Sequence, residues 1–213
     1  MSTWTSRAAA LLSALALSAC VEGMSPTGSA PRAIALAGGA VTATGPAGYC
    51  VDRAASRDGA AGSFVLFGTC AALSGSPAAG QPAKPAVLTA SVVPGAPDAA
   101  TFAASFPAMA RFFGSDPGRA ALSRSGRAGT VALGAVSSRD GVIYLSLSDS
   151  AAGPGQAVAP DYWRAILTLR SHLVTLSVMS LADRPLTSAE KRQILDAFVG
   201  RMRAANAGAA AAG

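Results

Sequence analysis

The sequence predicts an α+β domain: a mainly antiparallel sheet of hairpins, with helices packed on one face and an amphipathic helix at the C-terminal end. Three observations predict it. Apolar and polar residues alternate over 130–136 and 142–148, and again over 162–169 and 173–181, which is the period of half-buried strands. Phe102, Phe106, Met109 and Phe113 recur at the spacing of one helix face. Thr187-Ser188-Ala189-Glu190 sets a hydroxyl at an N-cap and a carboxylate three residues on, a capping box that opens a helix running to about Arg203.

Taken in order, residues 34–44 mix β-branched side chains with glycines and suit a weak hairpin. Residues 48–52 and 63–70 read as short strands, and 86–93 as another, stopped by Pro94. Over 98–113 the aromatic stripe calls for helix, but Pro107 would clash with the turn before it, so two short helices fit better than one rod. Arg111, Arg119, Arg124 and Arg127, set among glycines and serines between these helices and the next hairpin, read as loop. Asp140-Gly141 is a strong hairpin signal between the next two strands, and the last hairpin turns at Arg170-Ser171-His172. Ile194, Leu195, Phe198 and Met202 form the buried stripe of the final helix.

The most informative local motif lies at the other end. Arg7 precedes an apolar run over 8–17, then Leu17-Ser18-Ala19-Cys20 follows. The run is about half the ~20 residues that a helix needs to span a bilayer, so residues 1–19 read as a signal peptide rather than an anchor. The order aliphatic, small, small, cysteine resembles the lipobox of bacterial lipoproteins. That resemblance implies lipid on the Cys20 thiol and cleavage before it. Val21, where an aspartate would favour inner-membrane retention, implies an outer-membrane location facing the periplasm. Residues 20–32, rich in Pro, Gly and Ser, read as the lipidated cysteine and a flexible tether. Residues 33–203 form one α+β domain, and 204–213, nearly all Ala and Gly, a disordered tail.

With Cys20 assigned to lipid, Cys50 and Cys70 remain as an even pair in an oxidising compartment, which predicts one structural disulfide. Net charge is +6 at pH 7, although charged residues are only 13% of the chain. That balance suits anionic lipid headgroups or cell-wall polymers, and the exported address excludes nucleic acid. The partners expected are therefore the membrane, through the lipid on Cys20, and an envelope protein or an anionic cell-wall or lipid component.

From about residue 47 to 203 the element order resembles the Mog1/PsbP-like domains of some bacterial lipoproteins. The resemblance is carried by Gly48-Tyr49 entering a strand, Tyr162-Trp163-Arg164 leading the last hairpin, and the final capped helix. It implies an α+β fold and names no activity, since members differ in function.

No zinc, EF-hand, phosphate-loop or nucleophile-elbow spacing occurs. Gly153-Pro154-Gly155 reads as a turn, and no cofactor is expected. His172, the single histidine, is placed at a hairpin turn, exposed, and Asp140, Asp149, Asp161 and Asp183 read as solvent-facing turn formers. Two candidate sites remain. Arg111, Arg119, Arg124 and Arg127 suit an anion, because the guanidinium fork matches phosphate and carboxylate. Phe102, Phe106 and Trp163 are candidate lining for a pocket between sheet and helices. The functional expectation is a non-enzymatic binding or assembly module, with a periplasmic small-molecule carrier or sensor as the alternative.

Overall fold

Both parities of the strands over 142–149 and 158–169 are apolar, whereas the strands before them alternate more strictly, and this difference decides how the sheet is covered. The computed structural model describes residues 30–151 and 157–208. The expected leader, most of the expected tether and the Gly153-Pro154-Gly155 turn lie outside them.

A hairpin of β1 (Ala33–Leu36) and β2 (Val41–Thr44) comes first, as its residues predict. Then β3 (Tyr49–Arg57) and β4 (Ser63–Thr69) lead into α1 (Cys70–Ser74), and β5 (Ala86–Pro94) follows. Two helices, α2 (Ala99–Ala104) and α3 (Phe106–Gly114), divide at Ser105 just before Pro107, the break that the proline predicts. A third, α4 (Asp116–Leu122), occupies part of the stretch expected as loop. Its signal was local: Ser115 caps it, accepting from the Gly118 N–H, with an acid and a proline in its first turn. Gly118 lets it fold back on α3, since a Cβ there would collide with the Phe112 carbonyl. Strands β6 (Val131–Arg139) and β7 (Val142–Asp149) turn at Asp140-Gly141, both at positive φ. Finally β8 (Val158–Leu169), β9 (His172–Leu181) and α5 (Ser188–Asn206) close the chain, with the capping box formed as expected.

The large sheet has seven strands in the order β3-β4-β5-β9-β8-β7-β6, every pair antiparallel. Helices lie on both of its faces rather than on one. Val65, Phe67, Leu88, Val174, Leu176 and Leu167 point to one face and pack on Leu195, Phe198, Val199 and Met202 of α5, joined by the β1–β2 hairpin. Phe198 meets Phe67 edge-on at 5.3 Å. Ile143, Leu145, Leu147, Tyr162 and Ile166 point the other way and pack on Phe102, Phe113 and Leu122. The physical reason is the two-sided apolarity of β7 and β8, which a single layer of helices would leave wet. On that second face Phe64, Leu66 and Val87 belong to neither packed cluster and stay half-buried.

The domain also ends later than residue 203. Asn206, expected in a disordered tail, is buried, and its amide pairs with β2 as a strand would. The Thr42 N–H donates to its Oδ1 at 2.9 Å, and its Nδ2 donates to the Thr42 carbonyl at 2.9 Å and the Met202 carbonyl at 2.7 Å. Arg170, in the β8–β9 turn, donates to the Asn206 carbonyl from Nε and Nη2 at 3.1 and 2.9 Å, capping the end of α5 with positive charge. That turn is tighter than expected. Arg170 and Ser171 alone form it, both at positive φ, and His172 is the first residue of β9, half-buried, with Nδ1 2.6 Å from the Arg170 carbonyl.

The Cys50–Cys70 disulfide is formed, with 20 residues of sequence separation. It ties the first turn of α1 to edge strand β3. A Cys50→Ser/Cys70→Ser variant is expected to lose about 3 kcal/mol, seen as a lower denaturant midpoint; an unchanged midpoint would contradict the staple. Asn206→Ala, which leaves the Thr42 N–H and carbonyl without their partner, is expected to cost about 2 kcal/mol in the same assay.

Candidate anion-binding site

Strand β8 enters the sheet with Tyr162 and Arg164 on the same face, two residues apart. Tyr162 is buried, and its hydroxyl donates to the Leu122 carbonyl at the end of α4, 3.2 Å away. Burial pushes its phenol above the ordinary value. Arg164 stands opposite Ser177 of β9 and donates from Nε to the Ser177 hydroxyl at 3.2 Å. Its guanidinium carbon lies 5.3 Å from the centre of the Tyr162 ring.

A second guanidinium uses the same ring. Directly after α4 the chain runs through Ser123 to Arg124, whose guanidinium carbon is 5.5 Å from the Tyr162 centre and whose Nη2 is 3.4 Å from the Met179 sulfur. The backbone is pinned there by Asp149, at the end of β7. That carboxylate accepts from the Arg124 N–H at 2.6 Å and the Ala151 N–H at 3.0 Å. Burial raises its pKa, but these bonds and the Thr130 hydroxyl outweigh burial and hold it below the usual range. Asp149 is thus a buried turn clamp, not the solvent-facing acid that its position suggested.

The consequence is electrostatic. Among the described residues neither Arg124 nor Arg164 has an ion pair with a carboxylate side chain. Burial lowers the Arg164 pKa and the positive charge of Arg124 lowers it further, against opposing effects from Tyr162 and Asp149. A half-buried cation, Arg164, and an exposed one, Arg124, therefore converge on one ring, beside a half-buried patch of sheet. In register from Arg164 that patch carries Ser177 and Thr89, and in the next row Thr175 and Ser91. Guanidinium forks next to hydroxyls can bind a phosphate or carboxylate through several charge-assisted hydrogen bonds.

Of the four arginines expected to act together, the structure brings only Arg124 to this site. Arg111 is exposed in the last turn of α3. Arg119 pairs with Asp116 and donates to the Gly114 carbonyl, and Arg127 donates to the Ser125 hydroxyl at 3.3 Å. Arg164 was missed, though the alternation through Tyr162-Trp163-Arg164 sets it on the Tyr162 face, a charge in an inward register.

The expected pocket is also divided. Phe102 and Phe106 line a cavity of about 150 Å³ beside the β6–β7 turn, roughly half the smallest usual ligand pocket of ~300 Å³. Trp163 points to the opposite face, where its indole N–H donates to the Ser188 hydroxyl at 2.8 Å. His172 lines a cavity of about 380 Å³ with Asp58 and Ser63, but the Asp58 carboxylate is occupied by the Ser63 hydroxyl and the Ala37 N–H. Among the described residues no three His, Cys, Asp or Glu side chains are grouped to hold a metal. No helix there is long and apolar enough to cross a membrane. Compared with known proteins, the chain matches no family model and no curated sequence.

Because Arg164 keeps its charge half-buried without a carboxylate, Arg164→Met should raise the melting temperature in buffer free of multivalent anions. A fall in melting temperature would show that Arg164 is there for stability.

Proposed function

We propose that this protein is a lipid-anchored component of the bacterial cell envelope that works by binding. The Arg124/Arg164 site holds the phosphate or carboxylate of a sugar-bearing envelope component. The observation that carries the reading is the pair of guanidiniums sharing Tyr162, with no carboxylate side chain among the described residues paired to either. The half-buried hydroxyls of Thr89, Thr175 and Ser91, beside the buried Ser177 that Arg164 bonds, suit a glycan that continues from the anionic group across the sheet. The sequence supports the address: the lipobox at Cys20 would set the domain on a membrane, and Val21 favours the outer membrane facing the periplasm. Lipid A and peptidoglycan both offer the required anions there, phosphate in the first and carboxylate in the second.

The experiment uses the full-length protein with three probes: purified sacculi, vesicles containing lipid A, and neutral phosphatidylcholine vesicles. Arg124→Gln/Arg164→Gln is expected to weaken binding roughly a hundredfold, about tenfold per charge-assisted contact, while exposed Arg53→Gln leaves it intact. Retention on sacculi alone identifies a wall carboxylate, and retention on lipid A vesicles alone a phosphate. Equal binding by the double variant and the native protein, or binding to neither anionic probe, overturns the reading. For the anchor, Cys20→Ser should lose the lipid mass and accumulate as uncleaved precursor. Normal maturation of that variant would refute it.

A further inference from the structure

On the opposite face, between the start of α5 and the edge strand β6, lies a cavity of about 260 Å³. Strand β6 bulges there: its register shifts between Leu133 and Val136, and the Ala135 N–H donates to the Ser146 hydroxyl at 2.8 Å. Of its lining side chains Ala132, Ser146, Ser148 and Trp163 stand on this face, whereas Leu133, Leu147 and Tyr162 turn theirs to the other one and border the cavity through backbone. At one end is Lys191, whose side chain is 1% exposed, the charged side chain most deeply buried among the described ion pairs. Its ammonium bonds the Asp161 carboxylate and, at 3.3 Å, the Asp161 carbonyl. Neither its third N–H nor the Ser146 O–H has an acceptor among the described residues.

The two partners of this ion pair are unequal. Lys191 is sealed in, whereas the Asp161 side chain is 57% exposed at the rim. If Asp161 swings away it regains water at little cost, but Lys191 cannot follow and would be left as a bare buried charge. Only another anion entering the cavity can replace Asp161 without that penalty. We infer that this cavity is a second binding site, for a small carboxylate with a short apolar chain. The carboxylate exchanges with Asp161 on Lys191 and accepts from the Ser146 hydroxyl, and the chain lies against Trp163. Its volume is slightly below that of a drug-sized ligand pocket, so a few carbons beyond the carboxylate fill it.

The test uses the full chain carrying Trp4→Phe, which leaves Trp163 as its single tryptophan. Butyrate is titrated while indole emission is followed, with 1-butanol as the neutral probe of like size. Butyrate should give a saturable change and butanol none. Asp161→Asn removes the competing anion and should tighten butyrate binding about fivefold, and Lys191→Met should abolish it. Arg164→Gln should leave it unchanged, which separates this site from the one on the other face. Should Lys191→Met fail to fold, Asp161→Asn still decides: binding no tighter than native, or equal responses to butyrate and butanol, overturns the inference.

Discussion

Everything in this molecule follows from covering a seven-stranded antiparallel sheet with too little helix. One face is closed by α5 and the β1–β2 hairpin acting together. The Asn206 amide makes that possible, because it supplies β2 with the N–H and C=O partners that a neighbouring strand would offer. Arg170 then holds the end of α5 against the β8–β9 turn. Among the described residues the second face receives three short helices, over β6, β7 and β8. The rest of it, on β4, β5 and β9, is left half-buried and furnished with hydroxyls.

The boundary between covered and open sheet is where polar chemistry becomes affordable to the fold. Arg164 sits on that line. Its guanidinium lies over the Tyr162 ring and bonds the buried Ser177 hydroxyl, deep enough for burial to lower its pKa. Arg124 arrives on the same line because Asp149 pins the backbone just after α4. A position deeper under the helices would have demanded a paired carboxylate, whereas the exposed Arg124 needs none. Lys191 illustrates the other solution: it is fully buried, and there the fold supplies Asp161.

How much of this was legible depended on the range of the signal. Period-two alternation placed the last four strands, the capping box placed the start of α5, and Pro107 placed the break between α2 and α3, because each is written within a few residues. Even α4 had a local signature in Ser115-Asp116-Pro117, hidden by the glycines and serines around it. The compartment argument paired Cys50 with Cys70 without any geometry. Pairings across long separations were not legible. Nothing near Arg164 announces Arg124, and nothing near Lys191 announces Asp161, 30 residues away. Trp163 was grouped with Phe102 and Phe106 because all three are aromatic, yet strand parity sends it to the opposite face. Asn206 looked like part of an Ala/Gly tail because its role exists only once β2 lies beside it.

The most direct measurement is the melting temperature of the full-length protein, titrated with inorganic phosphate against chloride at matched ionic strength. A ligand that binds the folded state raises stability with its concentration. The account predicts a phosphate-dependent rise that chloride does not reproduce and that Arg164→Gln removes. Equal curves in phosphate and chloride, or the same phosphate-dependent rise in Arg164→Gln, would contradict the claim that Arg124 and Arg164 form an anion site.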